Sequence, residues 1–304
     1  MNILQGIKAN KSGMEGITME QIYRYAGVSR QAHAQAMGRR KKEESLMDGI
    51  SKEVNYYRRA KDAYAGSRSL YYNLGIKRKY KLGVNKFESL MSVYGLTLSR
   101  VSTKIVTTRS SPRSWKYQNL VNGLIINNIN LVLVGDLTYV LKDSQQYFVF
   151  SLFDLYSARM VGIYGGQRMR AIEAIIPLEQ SIELRGEEKI KGCIHHTDGG
   201  SQYFSDLYMK KLESIKMVIS VANNCLENGY AEQRNGMIKE HFIPLKRGRN
   251  EKEFNKGLQE IKMEYNYNRK QENLDWKSPV EFERSLEGLG ALERKPLSAY
   301  TFKS

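Results

Sequence analysis

HHTDGGSQYFS (residues 195–205) and NNCLENGYAEQRN (residues 223–235) decide how this chain is read. The first is a short β-like run that breaks on an acid, Asp198. The second opens a helix-like run with Glu232 near its start. Upstream, LVLVGDLTYV (residues 131–140) is another apolar run, with Asp136 inside it. Each acid has a local explanation: Asp136 as a strand-end residue, Asp198 as a turn former before Gly199-Gly200, Glu232 as a first-turn glutamate favoured by the helix dipole. Together, three acids at the ends of buried elements point to a divalent-metal site acting on phosphate. Clustered carboxylates repel by about 4 kcal/mol per pair at about 4 Å and an effective dielectric near 20. Such a cluster persists if a cation occupies it. Mg²⁺ is the natural occupant, with Mn²⁺ as an alternative, because hard ions take carboxylate, water and phosphate oxygens. A two-ion site, with the metals roughly 3.5–4 Å apart, needs no histidine base.

Outward from these acids, the chain from about residue 122 alternates strands and helices. Asn130–Val140, Gln146–Asp154 and Met160–Tyr164 read as three sequential strands, with Tyr156–Arg159 turning between the last two. Arg170–Leu184 has a helical apolar pattern that must absorb Pro177 as a kink. Lys191–His196 reads as a short buried strand, Asp206–Lys216 as a helix, Met217–Ser220 as a last strand. Helices from Tyr230 to Lys246, carrying Glu232, and from Glu253 to Asn268 complete the order. Three strands followed by helix–strand–helix–strand–helix is an α/β order compatible with a mixed five-stranded sheet covered by helices.

The N-terminal part has a different texture. Across 304 residues the net charge is +16, and Met1–Tyr117 holds 23 basic against 8 acidic residues while the remainder holds 25 against 24. The excess therefore sits in the first two-fifths, as an electrostatic footprint for a polyanion. TMEQIYRYAGVSRQAHAQAMGRR (residues 18–40) has the form of a helix-turn-helix: Gly27 for the tight turn, Val28 plugging the angle, Ser29 capping the second helix. That helix offers Arg30, Gln31, Gln35, Arg39 and Arg40, residue types suited to base edges and phosphates. A further helix is expected over Leu46–Tyr64, and a second helical unit over about 65–96. Residues 100–121 read as a basic linker whose Arg109, Arg113 and Lys116 would track a phosphate backbone. The expected organisation is a helical DNA-binding region over 1–99, this linker, an α/β core over 122–290 and a tail over 291–304.

Other classes are excluded by what the sequence lacks. Two cysteines, Cys193 and Cys225, are too few for a disulfide framework, and no His/Cys array has zinc-finger spacing. With no secretory segment after the first residues and no apolar run of about 18 residues, a cytoplasmic chain without a membrane partner is expected.

LVLVGDLTYV, FSLFDLYSARMVGIY, HHTDGGSQYFS, NNCLENGYAEQRNGMIKEHF and YNYNRKQENLDWKSPVEF occur in this order. Together they resemble the catalytic core of OrfB-type DDE transposases of insertion-sequence family three, relatives of retroviral integrases, over about residues 119–282. The N-terminal segment resembles the helical DNA-binding part of the same family. The resemblance implies a ribonuclease-H-like fold with Asp136, Asp198 and Glu232 as the metal-binding catalytic triad, and Lys239 on a phosphate of the bound DNA end. It also implies Mg²⁺-dependent cleavage at the ends of an insertion sequence followed by strand transfer. Partners would be the terminal repeats and target DNA, a second copy of the chain, and an upstream helix-turn-helix protein or fusion, in a bacterial, nucleoid-associated setting. Three departures stand out: Leu133 replaces the family's usual Trp, Gly199 replaces a basic residue, and Glu227 replaces an Asp. The spacing of 33 residues between Asp198 and Glu232 is also slightly short. His196 is expected to bond near the site or serve only structure. Asp154 should hold a strand turn, and Tyr265, Asn266, Arg269 and Trp276 should pack the last helices. Rival readings are a non-catalytic DNA-binding regulator and a plain nuclease.

Overall fold

The computed structural model describes residues 18–98, 117–222 and 225–298. The chain divides into two compact units, the first ending at Glu53 and the second starting at Val54. In the first, α1 (Met19–Tyr25) begins with a capping box, Thr18 and Gln21 each bonding the other's backbone N–H. Gly27 turns the chain at a φ of +64°, and the Ser29 hydroxyl accepts from the Ala32 N–H to start α2. The Tyr23 hydroxyl and His33 Nδ1 lie 3.2 Å apart and tie the two helices together.

Instead of ending near Arg40, α2 runs unbroken from Arg30 to Ala60. The expected second and third helices are one element because residues 40–46 (RKKEESL) are helix formers with no proline or glycine. Pairs Arg40–Glu44 and Lys52–Asp48, each one turn apart, brace the surface.

The second unit starts at Val54. Helices α3 (Ser67–Asn73), α4 (Ile76–Tyr80) and α5 (Val84–Val93) pack around Leu70, Phe87, Leu90 and Met91. Sequence texture groups this segment with the basic N-terminal region, but it shares a compact unit with the sheet. Lys61 pairs with Glu264 at 2.7 Å, and the Lys270 N–H donates to Asn73 at 3.0 Å. Tyr72 stacks on Trp276 with centroids 4.0 Å apart. Asp62, 1% exposed, accepts from Arg269 Nε at 3.2 Å and lies 2.7 Å from His241 Nδ1.

A short pair, β1 (Ile125–Ile126) with β7 (Leu297–Ser298), joins the start of this region to its end. The main sheet contains β2 (Val132–Lys142), β3 (Gln145–Asp154), β4 (Met160–Gly166), β5 (Ile194–Thr197) and β6 (Val218–Val221) in the order β4-β3-β2-β5-β6. The first three form an antiparallel meander; β5 runs parallel to β2, and β6 to β5. The first strand starts after Asn130, whose φ of +64° makes it a turn residue. Asp143 and Ser144, both at positive φ, form the two-residue hairpin between β2 and β3.

Alternate side chains serve two cores. Val134, Val149 and Ile163 face α9 (Gly229–Met237) and α10 (Glu251–Met263), while Leu133, Phe150 and Val161 face α6 (Ala171–Arg185) and α8 (Asp206–Ser214). One-turn α7 (Glu187–Ile190) leads into β5, and α11 (Pro279–Arg284) follows α10. Pro177 lies inside α6, and its carbonyl rests on Gly162: a Cβ there would meet it at 2.1 Å.

The helix carrying Glu232 does not run straight to Lys246. It passes into a π turn at Ile238–Phe242 and a 3₁₀ turn at Ile243–Leu245. Pro244 lacks an N–H and its ring opposes the carbonyl four residues back, so the preceding turn must change geometry. Likewise α10 gives way to a π turn at Glu264–Asn268. This mixed five-stranded sheet with flanking helices and an N-terminal helical region is the ribonuclease-H-like architecture. No helix among the described residues is long and apolar enough to cross a membrane.

Candidate active site

Strand register brings the first two acids together. Val134 of β2 pairs with His196 of β5 in parallel. Asp136 and Asp198 each lie two residues further on, so they lead from neighbouring strands on the same face. Asp136 is 7% exposed. The ladder between β2 and β5 ends at Val134, so Asp136 lies just past a fork in the sheet. Asp198 follows the end of β5, and its Oδ1 accepts from the Gly200 N–H at 3.0 Å. Glu232 lies in the first turn of α9 and is exposed.

Electrostatics link the three. Burial, then the charge of Asp198, pushes Asp136 up to about 7; the Asn235 hydrogen bond opposes this, and Glu232 adds further repulsion. Burial also raises Asp198, while desolvation and then Asp198 raise Glu232. The donor set is all carboxylate oxygen, which suits a hard divalent cation. Among the described residues, no three His, Cys, Asp or Glu side chains close tightly around one point. The acids are near enough to repel.

Residues that the sequence reading passed over orient them. Asn235 donates from Nδ2 to Asp136 Oδ2 at 2.8 Å and accepts from the Ser151 hydroxyl at 2.5 Å. Ser151 is the cross-strand partner of Asp136, so one amide fixes the carboxylate to its own sheet. Asn235 follows Glu232 by three residues, which places both on one helix face; that spacing was the available signal. Asn228 Nδ2 donates to the Gly135 carbonyl at 3.3 Å. Gly135 leaves room for the buried His195 ring, since a Cβ there would come within 2.9 Å of Cε1. His195 in turn lies 2.8 Å from the Tyr208 hydroxyl.

His196 bonds at both ring nitrogens, 2.9 Å from Ser220 Oγ and 3.1 Å from the Glu227 carbonyl. It thereby anchors the turn Cys225–Asn228 that leads into the helix of Glu232. Glu227 is held in place by Asn119 at 2.6 Å. Gly199 has a φ of +82°, which explains the missing basic side chain: that backbone region disfavours any Cβ.

Lys239 is exposed, with Nζ 4.5 Å from the Tyr139 ring centroid. In the first unit, Arg30, Gln31, Gln35, Arg39 and Arg40 are all exposed along α2. Arg109, Arg113 and Lys116 lie outside the described residues. Asp154 holds the turn after β3, accepting from the backbone of Tyr156, Ser157 and Asn130. Tyr265 is core, Asn266 bonds both backbone groups of Met160, and Arg269 and Trp276 meet Asp62 and Tyr72. These residues pack the fold and do not line the carboxylates.

No protein-family model matches the chain. A putative transposase for insertion sequence element IS986/IS6110 from Mycobacterium tuberculosis is 28% identical over 205 residues, 65% of this chain and 73% of the relative. A transposase for insertion sequence element IS629 from Shigella sonnei is 27% identical over 198 residues, 64% of this chain and 66% of the relative. Among solved structures, the HTLV-2 integrase catalytic core domain in complex with magnesium is similar at 17% identity and a TM-score of 0.41, covering 55% of this chain and 99% of that one. The fold rests on the strand order itself, and the similarity to transposases on the curated sequences. The chain is thus similar in sequence to insertion-sequence transposases, and its strand order is that of the ribonuclease-H-like fold.

Proposed function

We propose that the chain is a DDE-type DNA strand transferase that cuts at the ends of an insertion sequence and joins them to new DNA. The register Val134↔His196, which leads both strands into an aspartate beneath the helix of Glu232, carries this reading. Asp136, Asp198 and Glu232 would hold Mg²⁺, or Mn²⁺, as one or two ions. Such an ion, when bound, polarises the phosphodiester and neutralises charge as it develops.

The chain's own residues supply position. Asn235 presents the remaining oxygen of Asp136 in a fixed direction, and the Gly200 N–H does the same for Asp198. Glu232, at the exposed mouth, closes the set from the helix side, and Lys239 would take a neighbouring phosphate. In the first reaction water attacks phosphorus, a P–O bond to the water oxygen forms, and the bond to the 3′ oxygen breaks. The freed 3′-hydroxyl then attacks a second phosphodiester in the same in-line manner, with no covalent protein intermediate. Exposed Arg30, Gln31, Gln35, Arg39 and Arg40 on α2 would face the terminal repeat. Two copies pairing two ends, acting with or without a fused upstream protein, would complete the assembly.

The test uses the purified full chain, DNA ending in the element's terminal repeat, and Mg²⁺. Wild-type protein should give nicked and joined products, and Glu232→Gln should give neither while still shifting the DNA on a gel. Nicked products alone from the wild type would favour a nuclease, and none a regulator. Full cleavage by Glu232→Gln would refute the metal-site assignment.

A further inference from the structure

We infer that Tyr139 and Lys239 together form a grip for an unpaired nucleotide at the DNA end, an inference that rests on the strand-transferase reading. The sheet opens beside them. The ladder from β2 to β5 stops at Val134, while the ladder to β3 continues to Lys142. Among the described residues, 137–142 therefore border an edge without a strand on the β5 side, directly beyond Asp136. Along it Tyr139 is 64% and Leu141 76% exposed.

Lys239 faces this edge from the helix side. Its ammonium lies 4.5 Å from the Tyr139 ring centroid, within cation–π range. Among the described residues it forms no ion pair, although acidic Glu240 is its chain neighbour. Resting on the ring restrains a long flexible side chain while leaving its charge uncompensated. An exposed aromatic beside an unneutralised cation is the pairing used by single-strand nucleic-acid platforms, where the ring takes a base and the cation a phosphate.

Spacing places the grip usefully. Tyr139 is three strand residues beyond Asp136, about 10 Å along the strand, so its side chain leaves the opposite face and meets Lys239 around the open edge. Lys239 is seven residues beyond Glu232, about 10 Å along the helix. Both lines start at a catalytic carboxylate and end at the same ring. Ten ångströms corresponds to about three base steps at about 3.4 Å each. A base stacked in duplex hides its faces, so the ring can take one only where the end is frayed. The grip thus favours ends whose terminal pairs have opened.

The experiment measures binding of wild type, Tyr139→Leu, Tyr139→Phe and Lys239→Met by fluorescence anisotropy. The probes are a labelled duplex with a short unpaired 3′ end and the blunt duplex of the same sequence. Tyr139→Leu should weaken binding to the unpaired end by about 5- to 150-fold, the loss of one base–aromatic stack, with an unchanged salt slope. Tyr139→Phe should bind as wild type, and Lys239→Met should lower the salt slope by about one phosphate. A surface tyrosine of purely structural use would not produce this split between probes. Equal binding of both probes by Tyr139→Leu and wild type would overturn the inference. If Glu232→Gln is inactive while that happens, the grip alone fails; if Glu232→Gln cleaves fully, the catalytic reading fails instead.

Discussion

Asp62 is the junction through which the helical segment 54–96 is held to the sheet, and its removal should be costly. Its carboxylate is 1% exposed and lies 2.7 Å from His241 Nδ1, 3.2 Å from Arg269 Nε and 3.1 Å from the Tyr64 N–H. Burial opposes the charge, but the His241 hydrogen bond and the Arg269 charge outweigh it, holding the carboxyl below its ordinary range. Breaking one partner from a buried pair costs about 3–5 kcal/mol, because the other charge is left uncompensated. For a unit of this size that is a fall of about 6–20 °C in Tm. Asp62→Ala should show the full loss in urea or thermal denaturation. Asp62→Asn keeps an acceptor for Arg269 without the charge and should lose less. The pH dependence has a definite sign: a depressed carboxyl contributes stability above its unfolded pKa, and loses it as pH falls through the folded value. The wild-type-minus-Asp62→Asn difference should therefore be flat above the ordinary carboxylate range and shrink on acidification below it. A loss under about 1 kcal/mol for Asp62→Ala, the value of an exposed pair, would refute the claim that this junction is buried and structural.

Gly135→Ala places a methyl 2.9 Å from His195 Cε1 and 3.4 Å from Leu152 Cδ1. Overpacking of this kind costs about 1–3 kcal/mol and, beside Asp136, should also lower cleavage; wild-type stability in urea would count against the tight site floor. Lys262 donates to the Val161 carbonyl at 2.9 Å, and burial followed by Arg159 pushes its pKa down to about 8. A depressed amine destabilises the fold below that pH, and the penalty is relieved as pH rises from about 8 toward the unfolded value near 10.5. The stability of Lys262→Met relative to wild type should fall across that window; a pH-independent difference would show that the amine is not desolvated. The inactivity expected of Glu232→Gln and the probe-selective loss expected of Tyr139→Leu complete the set.

Helix and strand texture was legible where it depends on neighbours in sequence. Short apolar runs marked β2, β3 and β4, and the Gly27-Val28-Ser29 turn marked the start of α2, because apolar runs and capping are local signals. The end of α2 was less legible: a polar stretch reads as a break, yet RKKEESL contains nothing that interrupts a helix. Pro244 was visible, but its effect, a π turn between Glu232's helix and the following turn, depends on how the preceding carbonyls are accommodated.

By itself, the sequence offered the candidates for the chemistry. An acid at the end of an apolar run is a local feature, and five ordered motifs singled out Asp136, Asp198 and Glu232 against the structural alternatives for each. Tertiary structure decided what stands beside them. The Val134↔His196 register aligns the aspartates, Asn235 ties Asp136 to Ser151, and Tyr139 meets Lys239. It also decided that Asp62 belongs with His241 and Arg269, 179 and 207 residues away. No periodicity or capping rule reaches over such separations. Those contacts exist only because the sheet and its helices bury one another first, and burial then requires each polar group to find a partner.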